Sequence, residues 1–300
     1  MRRHRFVTVD VFTDRRFGGN PLAVFPDAEG LSDREMQCLA AEFNLSETTF
    51  VLPPRDPANS ARVRIFNRRS EMPFAGHPNV GTGWVLAGLG RDRDGVLRFE
   101  ELAGLVEVRV ERSQGQARTV TIDAPQPLNL GSEMPAATLA ACIGLSTGDV
   151  IQRHHRPIVA SVGNSFVIAE LEPAALARAA PDVARLSEAA ASLPELGPRR
   201  LPLYLYARSD GGSGATRLQA RMFSPLSGTL EDAATGSAAT PLAALLLSLS
   251  DQVRMDVEIV QGVEMGRPST LRCSAWRAAD GWRASVGGAC VPVLEGELIL

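Results

Sequence analysis

Apolar residues in the first third of the chain fall in short runs, broken by charged or glycine-containing stretches. FVTVDVF (6–12), PLAVF (21–25), TTFVLP (48–53) and ARVRIF (61–66) are rich in β-branched and aromatic residues, which predicts strands. VLRFE and LVEVRVER flank Leu102, Ala103 and Gly104 and read as a hairpin, and ARTVTIDAP (117–125) reads as a further strand. SDREMQCLAAEFN (32–44) has the helical period instead. Ser32 stands at its N-cap and Glu35 three residues on, the pattern of a capping box. A second helical run follows the stretch EMPFAGHPNVG, in which Glu71, His77 and Asn79 stand among small residues.

Beyond residue 125 the pattern shifts. PAATLAACIGL, PAALARAAPDVARLSEAA and ATPLAALLLSL are helical, and between them lie strand-like runs such as FVIAEL, LPLYLYA, RLQARMF, VEIVQG, TLRCSAWRA and WRASVGGACVPVL. The proline-rich APQPLNLGSEMP reads as a linker. This divides the chain into residues 1–125, which the last strand near 290–300 is placed to complete, and residues 126–300. Many short strands with little strand–helix alternation argue against a doubly wound parallel sheet. They predict an α+β protein of two mostly antiparallel sheets, each wrapped on a helix.

The two parts echo each other in three places and in the same order. GGNPLAVF (18–25) matches VGNSFVIA (162–169), VRIFN (63–67) matches ARMFS (220–224), and EMPFAG (71–76) matches EDAATG (231–236). The last pair opens an apolar helical run in both parts. Three matches in order predict a duplicated domain.

Composition narrows the class. With 45% hydrophobic and 22% charged residues and a net charge of −3 over 300 residues, the chain is an ordinary globular one. It carries no signal for nucleic acid or an anionic membrane surface. The basic start, Arg2, Arg3, His4 and Arg5, runs into a strand without an apolar core, so a solvated start is expected rather than a targeting peptide. The longest apolar run, AATPLAALLLSL, is too short to span a bilayer. Cys38, Cys142, Cys273 and Cys290 are dispersed, which predicts reduced thiols and a cytoplasmic protein, with Cys38 and Cys290 as candidates for the core. His154 and His155 are chain neighbours and rarely point at one ion, so no metal site is expected; a loop is expected there.

Small residues running into a helix have a physical use. The first helical turn leaves backbone N–H groups unpaired, and together with the helix dipole these attract an anion. GHPNVGTG and ATGSAAT both fit, and one such loop from each part would grip a carboxylate between them. On spacing alone, two solvent-capped helix starts with turn glycines are the favoured reading. The titratable residues tip the balance: His77 lies in the first loop, Asp232 and Ser237 flank the second, and Glu47 sits in FNLSETTFV among apolar neighbours that would raise a carboxyl pKa.

Taken together, GNPLAVF, LSETTFV, RIFN…EMPFAGHP, RMFSP, EDAATGSAA and QGVEMGRPS resemble the signature of the PhzF-like phenazine-biosynthesis proteins, within the diaminopimelate-epimerase-like superfamily. The resemblance runs over nearly the whole chain. It implies a pseudo-symmetric pair of domains, each a mostly antiparallel sheet curled around a central helix. It implies cofactor-free proton transfer at carbon on a small carboxylic acid, as in isomerisation of trans-2,3-dihydro-3-hydroxyanthranilate. Glu47 would be the acid/base. His77 and Asp232 would assist the proton shuttle, and Gly76, Gly236, Ser237 and Asn20 would bind substrate. A homodimer is implied as well. The paired cysteines of related epimerases are replaced here by Ala75 and Ala233, so a two-thiol mechanism is not expected. Asn79 and Ala233 also depart from the PhzF pattern. An epimerase, or a binding protein on the same scaffold, are the alternative readings.

Overall fold

The computed structural model describes residues 1–209 and 216–300. Its first elements are β1 (Arg3–Val11), β2 (Asn20–Phe25), α1 (Asp33–Phe43), β3 (Glu47–Leu52), β4 (Ala61–Phe66), β5 (Glu71–Met72), α2 (Gly76–Gly88), β6 (Val96–Glu101), β7 (Gly104–Ser113) and β8 (Gln116–Asp123). Then come β9 (Asn129–Glu133), α3 (Ala136–Cys142), β10 (Val150–Ile151), β11 (Ile158–Ser161), β12 (Ser165–Leu171), α4 (Pro173–Leu176), α5 (Val183–Ala190), β13 (Leu203–Arg208), β14 (Thr216–Ser224) and β15 (Thr229–Asp232). The chain closes with α6 (Gly236–Ser248), β16 (Arg254–Gln261), β17 (Ser269–Ala278), β18 (Gly281–Gly288) and β19 (Cys290–Ile299). Two compact units form: Met1–Asp123 with Val286–Leu300, and Ala124–Ser285.

In the first unit β2 runs parallel to β3, β3 antiparallel to β4, β4 antiparallel to β5 and parallel to β6, and β6, β7 and β8 follow as a meander. β1 lies antiparallel to both β2 and β19. One sheet face is covered by α1, whose Met36 and Ala40 pack on Phe25, Phe50 and Phe66. The capping box forms as the sequence predicts, with the Glu35 amide donating to Ser32 Oγ and the Ser32 amide to Glu35 Oε2. Cys290 is buried, but Cys38 is exposed, because it falls on the solvent side of α1.

The other face curls around α2, which packs against β1, β2, β3, β7 and β8. A helix apolar all round belongs in a core, and nearly every residue from Gly76 to Ala87 is buried. Its glycines make the approach close enough: a Cβ on Gly83 would sit 2.6 Å from Val108 Cγ1. Thr49 and Thr82 share a buried hydrogen bond of 2.8 Å that ties β3 to α2. Overpacking a core costs about 1–3 kcal/mol, so Gly83→Val is expected to destabilise by at least that. Gly88→Ala, at a position with nothing within 4 Å, is expected to stabilise by up to ~1 kcal/mol through helix propensity. Denaturant titration compares the two, and equal midpoints would remove the close approach from the account.

The second unit repeats the plan. β12 runs parallel to β13, β13 antiparallel to β14, β14 antiparallel to β15 and parallel to β16, and β16 antiparallel to β17. α6 takes the place of α2 and is buried from Gly236 to Leu247 apart from Ser237. The echo extends to side chains. Arg64 grips Glu71 through Nε and Nη2 at 2.7 and 2.6 Å and lies 5.1 Å over the Phe66 ring. Arg221 grips Glu231 at 2.8 and 2.9 Å and lies 4.7 Å over Phe223. The paired motifs R-x-F and E-x4-G thus encode one clamp in each unit, which fixes the loop leading into the central helix. Glu71, conspicuous in the sequence, is a clamp residue.

Two details differ from the sequence reading. PAALARAAPDVARLSEAA forms two helices, α4 and α5, because Pro181 interrupts it and Asp182 caps the second by accepting from the Arg185 amide. The stretch read as a linker contains β9, which pairs with β11 although every residue in it is exposed. Glycine and proline mask its strand character.

Candidate active site

The loop after β5 delivers Ala75 to the N-cap of α2. Alanine has no oxygen to cap with, and no side chain caps this terminus. Pro78, in the first turn, has no N–H to satisfy, so the free donors are concentrated on Gly76 and His77. Glu47 opens β3 opposite Leu22, in the first half of β2. This brings Glu47 Oε2 to 3.3 Å from His77 Nδ1.

Protonation follows from burial. His77 is 5% exposed. Burial pushes its pKa down to about 3, with a hydrogen bond to the Pro21 carbonyl pulling weakly the other way. His77 is therefore neutral near pH 7, and its contact with Glu47 is a hydrogen bond rather than an ion pair. The single proton therefore sits on Nδ1, shared between Glu47 and the Pro21 carbonyl, which leaves Nε2 as the bare acceptor. Nε2 is sealed from solvent and has no partner among the described residues.

Other buried polar atoms in this unit are also unpartnered among the described residues: Thr48 Oγ1, Asn79 Oδ1 and both carboxylate oxygens of Glu101. Asn79 is fully buried in the first turns of α2, its Nδ2 donating to the Ala75 carbonyl at 3.1 Å. The turn after Glu101 is tied to the loop before α2, since the Ala103 amide donates to the Pro73 carbonyl. Burial raises the Glu101 pKa from 4.5 to about 8, opposed only by Asn79. No strong hydrogen bond supports the ionised form.

The raised value has a stability consequence. Between pH 4.5 and about 8 the folded chain holds a proton on Glu101 that the unfolded chain has released. Stability must therefore fall as pH rises through that window and level off above it. Glu101→Gln is expected to remove this decline, making the variant more stable than the wild type at pH 9, by a few kcal/mol at most given ~1.36 kcal/mol per pKa unit. Urea midpoints at pH 5 and 9 test it, and a variant that tracks the wild type at both sinks the assignment.

In the second unit, β15 ends on Asp232, which is buried and accepts from Thr235 Oγ1 at 2.6 Å. Thr235 is the N-cap of α6, yet its hydroxyl faces Asp232 and no side chain caps this helix either. Gly236 and Ser237 present the first amides of α6, and Ser237 is partly exposed. Gln261 braces the loop: Nε2 donates to the Asp232 carbonyl at 2.8 Å, and Oε1 accepts from the Thr235 amide and from Tyr204 Oη. Gly262, at φ +77°, follows because a Cβ there would lie 2.6 Å from the Ala233 carbonyl. Sequence reading quoted QGVEMGRPS without giving Gln261 a role. The signal was the Gln-Gly pair, but its target lies on a loop some thirty residues earlier.

Asn20 is buried at the start of β2, paired with Val11, beyond Gly19 at φ +62°. Ala75 and Ala233, on the loops that lead into α2 and α6, are both buried. Cys142, Cys273 and Cys290 are buried, and burial holds all three thiols above their ordinary pKa. Among the described residues no three His, Cys, Asp or Glu side chains gather to hold a metal ion, and no helix is long and apolar enough to cross a membrane.

The PhzC–PhzF family model, described as phenazine biosynthesis-like protein, matches residues 9–296. The chain belongs to the PhzC–PhzF family. The trans-2,3-dihydro-3-hydroxyanthranilate isomerase of Pseudomonas aeruginosa is 38% identical over 302 residues, covering 99% of this chain and 100% of that one. A Mesorhizobium japonicum protein named only as an uncharacterized isomerase is 37% identical over 317 residues, covering 100% of both. A PhzF-family protein of Bacillus anthracis superposes with a TM-score of 0.88 at 22% identity over 100% of both chains. A hydroxyproline epimerase from Agrobacterium vitis shares the fold with a TM-score of 0.61 at 14% identity, covering 100% of this chain and 93% of that one. These likenesses confirm the epimerase-like α+β fold. This PhzF-family chain is an isomerase, as its curated relatives are named.

Proposed function

We propose that this PhzF-family chain isomerises a small carboxylic acid by moving a proton from one carbon to another, with Glu47 as acid and base. The reading rests on the Glu47–His77 contact at 3.3 Å beside the uncapped start of α2. His77, being neutral, holds the Glu47 carboxylate in place without neutralising it. The Glu47 carboxylate takes the proton from carbon, and the same group returns it at the second carbon. As the proton leaves, negative charge spreads into the substrate carboxylate. Free amides of Gly76 and His77 stabilise that charge at a helix terminus. In the first unit Asn20 is a further candidate for binding substrate, and in the second unit Asp232, Gly236 and Ser237, at the uncapped start of α6, are candidates for binding a polar group. The substrate of the P. aeruginosa relative, a dihydro-hydroxyanthranilate, is the first compound to try.

A screen of amino and hydroxy carboxylic acids in deuterated water tests the reaction class. A substrate is expected to gain deuterium at carbon, and this exchange should vanish in Glu47→Gln. Exchange that persists in the variant would assign the proton transfer to another group.

A further inference from the structure

On the face of the first unit that carries α1, a pocket of about 350 Å³ opens near the start of that helix and the ends of β3 and β4. Its apolar lining includes Met36, Leu52 and Pro53, and three arginines reach it: Arg55, Arg62 and Arg64. Arg64 is engaged by Glu71 and Asp33. Arg55 and Arg62 are not. Among the described residues neither guanidinium has a hydrogen-bond or ion-pair partner, and Arg62 Nε is sealed from solvent.

The nearby acids do not answer them. Glu100, opposite Arg62 in the register of β4 and β6, is filled by the amides of Arg55 and Asp56 and by Asn59 Nδ2. Asp33 acts on Arg62 through space, but its hydrogen bond goes to Arg64. Glu29, also in the lining, is exposed. An unmet buried N–H is costly, and a guanidinium cannot shed its charge to escape. The acceptor it calls for is an anion with paired oxygens, which matches the guanidinium fork.

This pocket is separate from the Glu47–His77 pair. Leu52 faces Arg62 across the β3–β4 ladder, five residues along β3 from Glu47, or about 16 Å at ~3.3 Å per residue. Side chains of a strand alternate between faces; Arg62 and Arg64 share the face of Phe66, which packs under α1.

We propose that this pocket is a binding site for a small organic anion, with a carboxylate or phosphate head on Arg62 and Arg55 and a short apolar body against Met36, Leu52 and Pro53. Its volume lies at the small end of the range for ligand pockets, roughly 300–1,000 Å³. The proposal goes beyond the isomerase reading and does not depend on it.

Calorimetric titration of the full chain at low salt, with phenyl phosphate, benzoate and inorganic phosphate, tests it. Saturable binding of at least one aryl anion is expected, tighter than inorganic phosphate. Which aryl anion binds more tightly identifies the head group. Arg62→Met is expected to weaken it at least tenfold and Arg62→Lys less, while His77→Ala leaves it unchanged. Arg55 is exposed, so Arg55→Ala tests the site without disturbing the fold and is expected to weaken binding as well. No saturable binding of either aryl anion would overturn the proposal. So would binding that survives both Arg62→Met and Arg55→Ala, or binding that disappears with His77→Ala.

Discussion

Glu47→Gln is expected to lower turnover by at least ~10²-fold, the low end of what general acid–base catalysis contributes, with little change in melting temperature. The amide is isosteric and can still accept from His77 Nδ1, so the 3.3 Å contact has no reason to break. What disappears is a group that can take a proton from carbon. Because Glu47 retains partial exposure, 17% for its side chain, the loss of charge asks little of the fold. Steady-state kinetics on the identified substrate, paired with a melting curve, separates the two quantities. A variant within a few-fold of wild-type turnover would remove Glu47 from the chemistry, and one that melts much earlier would make the residue structural.

Arg221→Met is expected to cost about 3–5 kcal/mol, the range for breaking a buried ion pair from one side. Arg221 is 7% exposed and holds more than Glu231. Its Nη1 donates to the carbonyls of Leu176 and Ala179 at 3.0 and 2.8 Å. Methionine fills much of the volume and stacks on Phe223, so lost packing is a small part of the effect. The cost comes from a carboxylate and carbonyls left without donors. Replacing Arg221 and Glu231 together is expected to cost less than Arg221 alone, because the Glu231 charge is no longer orphaned and only the longer contact to Glu264, 3.8 Å, is left open. Chemical denaturation of both variants checks this, and a double variant worse than the single would mean the pair is a net stabiliser. The corresponding exchange at Arg64 is expected to be milder, since Arg64 is more exposed, at 17% for its side chain.

Much of the fold was written in local pattern. Alternating runs such as ARVRIF became strands because one side of a sheet is buried, and Ser32 with Glu35 capped α1 because capping depends on residues three apart. The two helix starts were legible for the same reason: glycine and alanine before an apolar run mark a terminus that no side chain caps. Side chains whose meaning depends on distant partners were not legible. Glu71 stood out among small residues without a role until Arg64 was placed beside it. Glu101, the second of two adjacent glutamates, gave no hint that its neighbour Glu100 would be saturated by two amides and Asn59 while its own oxygens were sealed from solvent, with only Asn79 nearby among the described residues. Gln261 acts through a loop that the topology, not the chain, brings to it. The break between α4 and α5 was written plainly in Pro181, but the alanine-rich surroundings outweighed it.

The pairing of β1 with β19, which sets Arg3 against Ile299, has a consequence during synthesis. β1 emerges from the ribosome about 280 residues before its partner, which at ~5–20 residues per second is some 15–60 s earlier. Throughout that interval an unpaired edge carrying Phe6, Val7 and Val9 is available to other nascent chains. The unit spanning Ala124–Ser285 is continuous in sequence and faces no such delay. The edge of β1 that β19 completes therefore stays open until both units have otherwise been made. Chaperone demand should track the first strand rather than the last.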